Sequence, residues 1–203
     1  MGLKGFLLAV ALALGSGAGM AWVLERPSLE RRDAPPEGSK SQVADVGGPF
    51  TLLDQTGREV TERDFRGRYM LIYFGYSFCP DVCPTELQVM SAALDQLGDA
   101  AQKVQPVFVT VDPERDTVEM LAGYVKHFRP DMVGLTGSSE QIARMTSAYK
   151  VYAARDPAST DPDNYAVSHS SVTYLMDPKG KFVTVFPYGT KPDEMAQSIR
   201  THL

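Results

Sequence analysis

The chain contains two cysteines, Cys79 and Cys83, with three residues between them. Two thiols at this spacing can close a disulfide, bind a soft metal ion, or do both in turn. They follow an apolar run at residues 69–75 and precede a run of helical periodicity that opens at Pro84. A thiol pair at a strand-to-helix turn indicates a redox site or a metal site.

The electrostatic surroundings of the pair can be read in two directions. A position of Cys83 at the start of a helix favours its thiolate, because free amide groups and the helix dipole stabilise a negative charge. The carboxylate of Asp81, between the two thiols, opposes that effect. The sequence leaves this balance open. The loop is wider than in a Cys-x-x-Cys motif, so it has room for an ion and still permits a disulfide.

Residue periodicity predicts an α/β domain with a thioredoxin-like fold, in which helices flank a central mixed sheet. An early hairpin and alternating strands and helices come first, and a second hairpin and a closing helix follow. The predicted strands are residues 50–53, 59–60, 69–75, 104–111, 132–135, 171–176 and 181–186. The predicted helices are residues 84–97, one capped by Asp116 or Thr117, one from Ser138 or Ser139 to about residue 150, and 191–202.

This topology brings a histidine to the cysteines. The cysteines follow the carboxyl end of one central strand, and a strand antiparallel to it begins at the same edge, directly after His169. Two thiolates and one imidazole make a three-ligand site. Sulfur ligands favour Cu(I) or zinc, and imidazole also accepts Cu(II), so the ligand types leave copper and zinc both open.

Other polar residues have simpler interpretations. We assign no role to His127, late in an amphipathic helix, or to His202, near the carboxyl terminus. Residues 112–117 carry four charges at the same edge of the predicted sheet. Helix capping and an internal pair between Arg115 and a carboxylate explain them, and a docking rim for a partner is the alternative.

The amino-terminal region is different in composition. Residues 5–24 contain no charged side chain, which is about the length that spans a bilayer. We predict a signal anchor at residues 1–24, with a cleaved signal peptide as the alternative. A polar linker containing Pro and Gly is predicted at residues 25–48, before the domain at residues 49–203.

The anchor and the thiol pair predict a single-pass protein of the bacterial plasma membrane, with its domain on the periplasmic face. Overall composition is typical of a globular protein, with 43% hydrophobic and 22% charged residues. A net charge of −5 gives no electrostatic footprint for nucleic acid, so we exclude that class of partner.

Three motifs resemble those of the Sco/SenC family, and they occur in the family's order and spacing. They are GYSFCPDVCPTEL at residues 75–87, VTVDPERDT at 109–117 and SHSSVTYLMDPKG at 168–180. The resemblance implies a membrane-anchored, thioredoxin-like copper chaperone with Cys79, Cys83 and His169 as metal ligands. Ser168 departs from the pattern, because an acidic residue commonly precedes the histidine.

By this resemblance, the protein delivers copper to the dinuclear centre of cytochrome c oxidase during assembly, reduces the cysteines of that centre, or does both. The implied partners are the copper-bearing subunit of the oxidase and a further periplasmic copper chaperone or thiol reductase. A protein that binds and hands over a metal is not an enzyme in the ordinary sense.

The main alternative is a membrane-tethered thiol–disulfide oxidoreductase of thioredoxin or peroxiredoxin type. Peroxiredoxins have a threonine three residues before the reactive cysteine, where this chain has Pro80. A nucleophilic cysteine also leaves His169 without a role. A purely structural disulfide is a weaker interpretation, because a bridge across so short a loop gains little entropy.

Overall fold

The computed structural model describes residues 45–159, 161 and 164–203. The predicted anchor and residues 25–44 of the predicted linker lie outside this part of the chain. Of the helices in the described ranges, none has the length and apolar character needed to cross a bilayer.

Seven strands form one mixed sheet, and two more form a separate two-stranded ribbon. The order across the large sheet is β2-β1-β5-β4-β3-β8-β9, and the ribbon pairs β6 with β7. The strands are β1 (Thr51–Asp54), β2 (Glu59–Thr61), β3 (Tyr69–Gly75), β4 (Val104–Thr110), β5 (Val133–Thr136), β6 (Ala153–Arg155), β7 (Val167–His169), β8 (Val172–Met176) and β9 (Phe182–Pro187).

Four α-helices cover the two faces of the sheet: α1 (Val82–Leu97), α2 (Val118–Lys126), α3 (Ser139–Ala148) and α4 (Pro192–Arg200). Buried side chains of α1, α2 and α4 join one core cluster, and those of α3 join the other with β1 and β2. Strands β3 and β4 run parallel between the two cores. Their nearly continuous burial explains why both sequences read as unbroken apolar runs.

The predicted central mixed sheet with flanking helices is confirmed. Strand β8 pairs antiparallel with β3, so it begins at the edge where β3 ends. The side chain of Thr117 caps α2, and Ser138 forms a capping box with Gln141 at the start of α3. Helix α1 begins at Val82, two residues before the predicted start, and Pro84 lies in its first turn, where a missing N–H costs little.

The ribbon of β6 and β7 was not predicted from the sequence. Each strand has three residues, and a long connection with no hydrophobic period separates them. Residues just before Pro49 also contact the domain. Val46 packs against the second core cluster and the N–H of Gly47 donates to the carbonyl of Ala148, so contacts with the domain begin before Pro49.

The end of β3 approaches α1 unusually closely at Gly75. A Cβ atom added there would lie 2.9 Å from Cys83 Sγ and 3.1 Å from a ring carbon of Phe108. We therefore expect Gly75→Ala to lower the free energy of unfolding by about 1–3 kcal/mol, because overpacking a core forces neighbours to shift. Urea denaturation of the full chain measures this change.

Gly123→Ala is the matched control. Gly123 lies in α2, and an added Cβ there meets open space. Alanine is the better helix former, so this variant should be as stable as the parent or up to about 1 kcal/mol more stable. Equal loss of stability in the two variants would contradict the close approach at Gly75.

Candidate metal centre

The three predicted donor side chains meet at the carboxyl end of β3. Cys83 Sγ lies 3.4 Å from His169 Nε2. Cys79 Sγ accepts a hydrogen bond from the backbone N–H of Cys83 at 3.4 Å. Cys79 and Cys83 are both free thiols in this structure. The fold thus gathers residues that lie up to ninety positions apart in sequence.

The donors are gathered without being closed to coordination distances. Within the described ranges, no group of three or more His, Cys, Asp or Glu side chains is arranged tightly enough to hold a metal ion. Metal–sulfur bonds are near 2.3 Å for zinc. A bound ion would therefore require the side chains of Cys79, Cys83 and His169 to rotate or shift modestly.

Cys83 is the buried member of the pair. It lies in the first turn of α1, fully screened from solvent beneath the end of β3. Burial raises the pKa of its thiol to about 12, and the nearby Cys79 sulfur acts in the same direction. Burial therefore outweighs the helix terminus at Cys83, and it is an effect that the sequence-based comparison of the helix start with Asp81 did not include.

Cys79 is partly exposed and has the opposite shift. Burial alone would raise the pKa of its thiol. Hydrogen bonds from the backbone N–H groups of Cys83, Asp81 and Val82 together have the larger effect, so the pKa lies below the ordinary cysteine value. The amide groups at the start of α1 therefore stabilise a thiolate on Cys79 rather than on Cys83. The two thiols are chemically distinct, with Cys79 the more readily ionised.

His169 ends β7 and is half-buried. Its Nδ1 lies 3.2 Å from the carbonyl oxygen of Ser170, so an Nδ1–H can donate there and leave the Nε2 lone pair facing Cys83. Burial lowers the pKa of the imidazole, which favours the neutral form that binds metals. The ring stands edge-on to Tyr73 and Tyr76, with centroid distances of 6.1 and 5.9 Å.

Tyrosines form the wall of the site, a role that no sequence pattern indicated. Burial raises the pKa of Tyr73, Tyr76 and Tyr124, and the charges of the cysteines raise them further. All three hydroxyls therefore stay neutral. Tyr73 belongs to an apolar strand and was readable only as a core residue. The resulting environment around Cys83 has few solvating groups, which strengthens any bond between thiolate and metal.

Residues 112–117 are hydrogen-bonded to the loop that bears the cysteines. The buried carboxylate of Asp116 accepts hydrogen bonds from the backbone N–H of Ser77 at 3.0 Å, from the hydroxyl of Ser77, and from the hydroxyl of Thr110 at 2.7 Å. The expected pair between Arg115 and a carboxylate is present, because Arg115 Nε lies 2.5 Å from Asp112 Oδ2. Thr117 rather than Asp116 caps α2, so Asp116 is left to hold the loop.

Glu86 is a second buried residue that the sequence did not single out. It lies one turn after Cys83 and accepts a hydrogen bond from the N–H of Gly189 at 3.3 Å. The adjacent Tyr188 donates its N–H to the carbonyl of Ser171. Glu86 therefore ties α1 to the loop that follows β9, and through it to the segment after His169. Burial raises the pKa of its carboxyl group.

The remaining histidines lie elsewhere on the surface. His127 is exposed at the carboxyl end of α2, and His202 is exposed near the end of the chain. Among the hydrogen bonds of the described ranges, none joins either imidazole to Cys79, Cys83 or His169.

Sequence comparison gives the relationship of this domain to known proteins. The SCO1/SenC family model matches residues 38–203. The chain belongs to the SCO1/SenC family. It is 42% identical to the mitochondrial SCO2 homolog of Bos taurus over 205 residues, which cover 100% of this chain and 76% of that relative. This chain is also 38% identical to a SCO2-like protein of Rickettsia conorii, and the match covers 94% of each of the two chains.

The family also has solved structures with the same fold. The structure of Bradyrhizobium japonicum ScoI with copper bound is 42% identical, with a TM-score of 0.72. The match covers 78% of this chain and 99% of that structure. Family membership thus agrees with the resemblance found in the three sequence motifs.

The unequal pKa values of the two thiols predict unequal reactivity. We expect iodoacetamide to alkylate Cys79 at least about tenfold faster than Cys83 near neutral pH, because each unit of pKa changes the thiolate fraction tenfold and the greater nucleophilicity of the more basic thiolate offsets only part of this. The Cys79 rate should level off at a pH below the ordinary cysteine pKa. Peptide mass spectrometry after timed labelling measures both rates.

Labelling in concentrated urea provides the reference, since unfolding should bring the two rates together. Faster labelling of Cys83 than of Cys79 in the folded protein would show that the assignment of the two thiols is reversed.

Proposed function

We propose that this protein is a membrane-anchored copper-binding protein that acts in the assembly of cytochrome c oxidase. Its role is delivery of copper to the dinuclear copper centre, reduction of the cysteines of that centre, or both. The observation that carries the proposal is the 3.4 Å approach of Cys83 Sγ to His169 Nε2, with Cys79 on the same loop. Family membership supports the same conclusion.

The donor set suits copper as a cargo. Two thiolates and a neutral imidazole are the ligands that Cu(I) prefers, and imidazole also accepts Cu(II). Zinc accepts the same ligands. The relative from Bradyrhizobium japonicum, 42% identical, was solved with copper bound, and this favours copper over zinc here.

The asymmetry of the site fits transfer. Cys83 and His169 lie on the inner side of the site, whereas Cys79 is partly exposed beside the exposed residues Pro80 and Asp81. A thiolate of a partner can therefore reach a bound ion from the side of Cys79 and replace that ligand first. Because thiols lose their protons when they bind a metal, the high pKa of Cys83 makes loading dependent on proton release.

The surface around the site offers apolar side chains to a partner. Four of the five exposed large hydrophobic residues in the described ranges lie on adjoining segments: Phe78, Met120, Tyr152 and Tyr188. Phe78 directly precedes Cys79 and shares a cleft with Met120. Tyr152 and Tyr188 hydrogen-bond through their backbones to Ser170 and Ser171. The proposed partner that receives copper is the copper-bearing subunit of the oxidase. The further proposed partner is a copper chaperone that supplies copper to this protein or a thiol reductase that reduces its cysteines.

The proposed address is the plasma membrane of a bacterium, with the domain on the periplasmic face. It rests on the uncharged run at residues 5–24 and on the thiol pair. An anchored domain remains near a membrane-bound partner, which raises the effective concentration for transfer.

A second candidate function is thiol–disulfide exchange. The observation that favours it is the difference between the thiols: Cys79 is partly exposed with a lowered pKa, and Cys83 is buried with a raised pKa. This is the arrangement of an attacking thiol and a resolving thiol. In this reaction Cys79 attacks a disulfide of the partner, and Cys83 then displaces the reduced partner while the pair becomes a disulfide.

Titration of the reduced full chain with Cu(I), without oxygen and against a competing chelator, tests the main proposal. We expect one tightly bound copper per chain. Cys79→Ser, Cys83→Ser and His169→Ala should each weaken binding by at least about tenfold, because each removes one ligand of a three-ligand site. His127→Ala is the matched control and should bind as the parent does.

Unchanged copper affinity in His169→Ala would refute the ligand assignment. Retained thiol activity in that variant, with no copper bound by the parent chain, would favour the exchange reaction instead.

Oxidation of the cysteine pair should abolish tight Cu(I) binding. Formation of the Cys79–Cys83 disulfide removes two electrons and two protons, and leaves only the imidazole of His169 as a donor. We expect Cu(I) affinity to return when the disulfide is reduced with dithiothreitol and the reductant is removed. Equal affinities of the oxidised and reduced forms would show that copper binds elsewhere.

A further inference from the structure

The histidine of the site is carried by an element that stands apart from the main sheet. Strand β7, which ends at His169, pairs with β6 in the two-stranded ribbon. The register places Ala153 opposite His169. The ladder of the large sheet does not include this ribbon and resumes only at Val172 in β8, so side-chain contacts on the other side of His169 help to fix it relative to the cysteine loop.

Tyr165, two residues before β7, makes the main contact of this kind. It is buried, and its hydroxyl donates a hydrogen bond to Asp112 Oδ1 at 2.6 Å. The guanidinium carbons of Arg115 and Arg155 lie 3.6 and 3.8 Å from the centre of its ring. Two cations at these distances cannot share one face, so they stack on opposite faces of the ring.

Asp112 and Arg115 complete a closed set of contacts. The other oxygen of the Asp112 carboxylate accepts a hydrogen bond from Arg115 Nε at 2.5 Å. Burial, together with the hydrogen bond and charge of Asp112, raises the pKa of Tyr165 to about 12, although the charge of Arg115 opposes the shift. The phenol therefore remains a hydrogen-bond donor over the physiological pH range.

The same arginine also contacts the cysteine side of the site. Its guanidinium carbon lies 4.9 Å from the ring centre of Phe78 and 5.6 Å from that of Tyr76. The carbonyl of Tyr76 accepts the N–H of Cys79, and its hydroxyl accepts the N–H of Val167 at 3.4 Å. Arg115 thus contacts both the loop that bears Cys79 and, through Tyr165, the ribbon that bears His169.

We propose that the Asp112–Tyr165 hydrogen bond, with Arg115 stacked on the Tyr165 ring, is a latch that holds His169 against Cys83. Tyr165 and Arg115 are positioning residues for the metal site, and they act through the ribbon rather than by touching the metal. When the latch opens, the ribbon moves as a unit and His169 leaves the cysteines. The consequence for copper release rests on the proposed function, whereas the placement of His169 in the metal-free protein does not.

Tyr165→Phe removes the hydrogen bond and keeps the stacked ring. Tyr152→Phe is the matched control, because it also removes only a hydroxyl and keeps the ring. Tyr152 is exposed, and its backbone carbonyl accepts the N–H of Ser170, the residue after His169. The first measurement uses the metal-free full chain and follows modification of each histidine by diethyl pyrocarbonate with peptide mass spectrometry. The exposed His127 and His202 are internal references.

We expect Tyr165→Phe to raise the modification rate of His169 by about tenfold relative to His127 and His202, since a hydrogen bond to a buried carboxylate is lost. Tyr152→Phe should leave the rate at the parent value. Circular dichroism under the labelling conditions separates this effect from general loss of stability, since the already exposed reference histidines would change little on unfolding.

The second measurement follows release of Cu(I) to an excess of chelator. Tyr165→Phe should release copper about tenfold faster than the parent and Tyr152→Phe, because an open latch exposes one ligand. Arg115→Lys, which keeps the charge but loses the flat stacking surface, should shift both measurements in the same direction and serves if Tyr165→Phe does not fold.

Equal His169 modification in the parent, Tyr165→Phe and Arg115→Lys would overturn the latch. A parent chain that binds no copper would overturn the proposed function instead, and the metal-free measurement would still decide whether the latch exists.

Discussion

Burial of Cys83 against the end of β3 is the constraint on which the site depends. The strand must end in a residue without a side chain, because any Cβ at Gly75 would collide with Cys83 Sγ. Strand, loop and helix therefore meet with no space between them. In this position the pKa of the Cys83 thiol is raised, and its Sγ lies 3.4 Å from the imidazole of His169. A metal ion that displaces this proton would bind, on its inner side, a thiolate that is screened from water.

The same burial makes the two cysteines differ in exposure and in the pKa of their thiols. Cys79 receives the amide hydrogen bonds of the first helical turn, and Cys83 loses its contact with water. If both thiolates were equally exposed, neither would be favoured as the first ligand to be replaced. Here one thiolate is available to solvent and to a partner, while the other stays with the histidine. Under the proposed transfer function, a partner would therefore replace Cys79 before Cys83.

Much of this could be predicted from the sequence, and the failures have physical reasons. The apolar runs of β3 and β4, the capping residues Thr117 and Ser138 and the late hairpin are local signals, and each was recovered within a few residues. Strand direction predicted that the cysteines and His169 could meet, and the resemblance to the Sco/SenC family favoured the same three residues. The ribbon carrying His169 escaped prediction because three-residue strands have no period. Tyr165 escaped because one tyrosine in a polar loop gives no sign of the buried carboxylate that it will meet.

The charged segment at residues 112–116 shows how local and distant roles coincide. Charged residues before a helix are sufficiently explained as caps and internal pairs, and the pair of Asp112 with Arg115 exists as expected. However, the carboxylate of Asp116 accepts hydrogen bonds from Ser77 instead of capping the helix. The second oxygen of Asp112 accepts the hydrogen bond from Tyr165. Burying two carboxylates is costly unless each is satisfied by several donors. Those donors include Ser77 of the cysteine loop and Tyr165 of the segment leading to His169, so satisfying the two carboxylates also ties together both sides of the metal site.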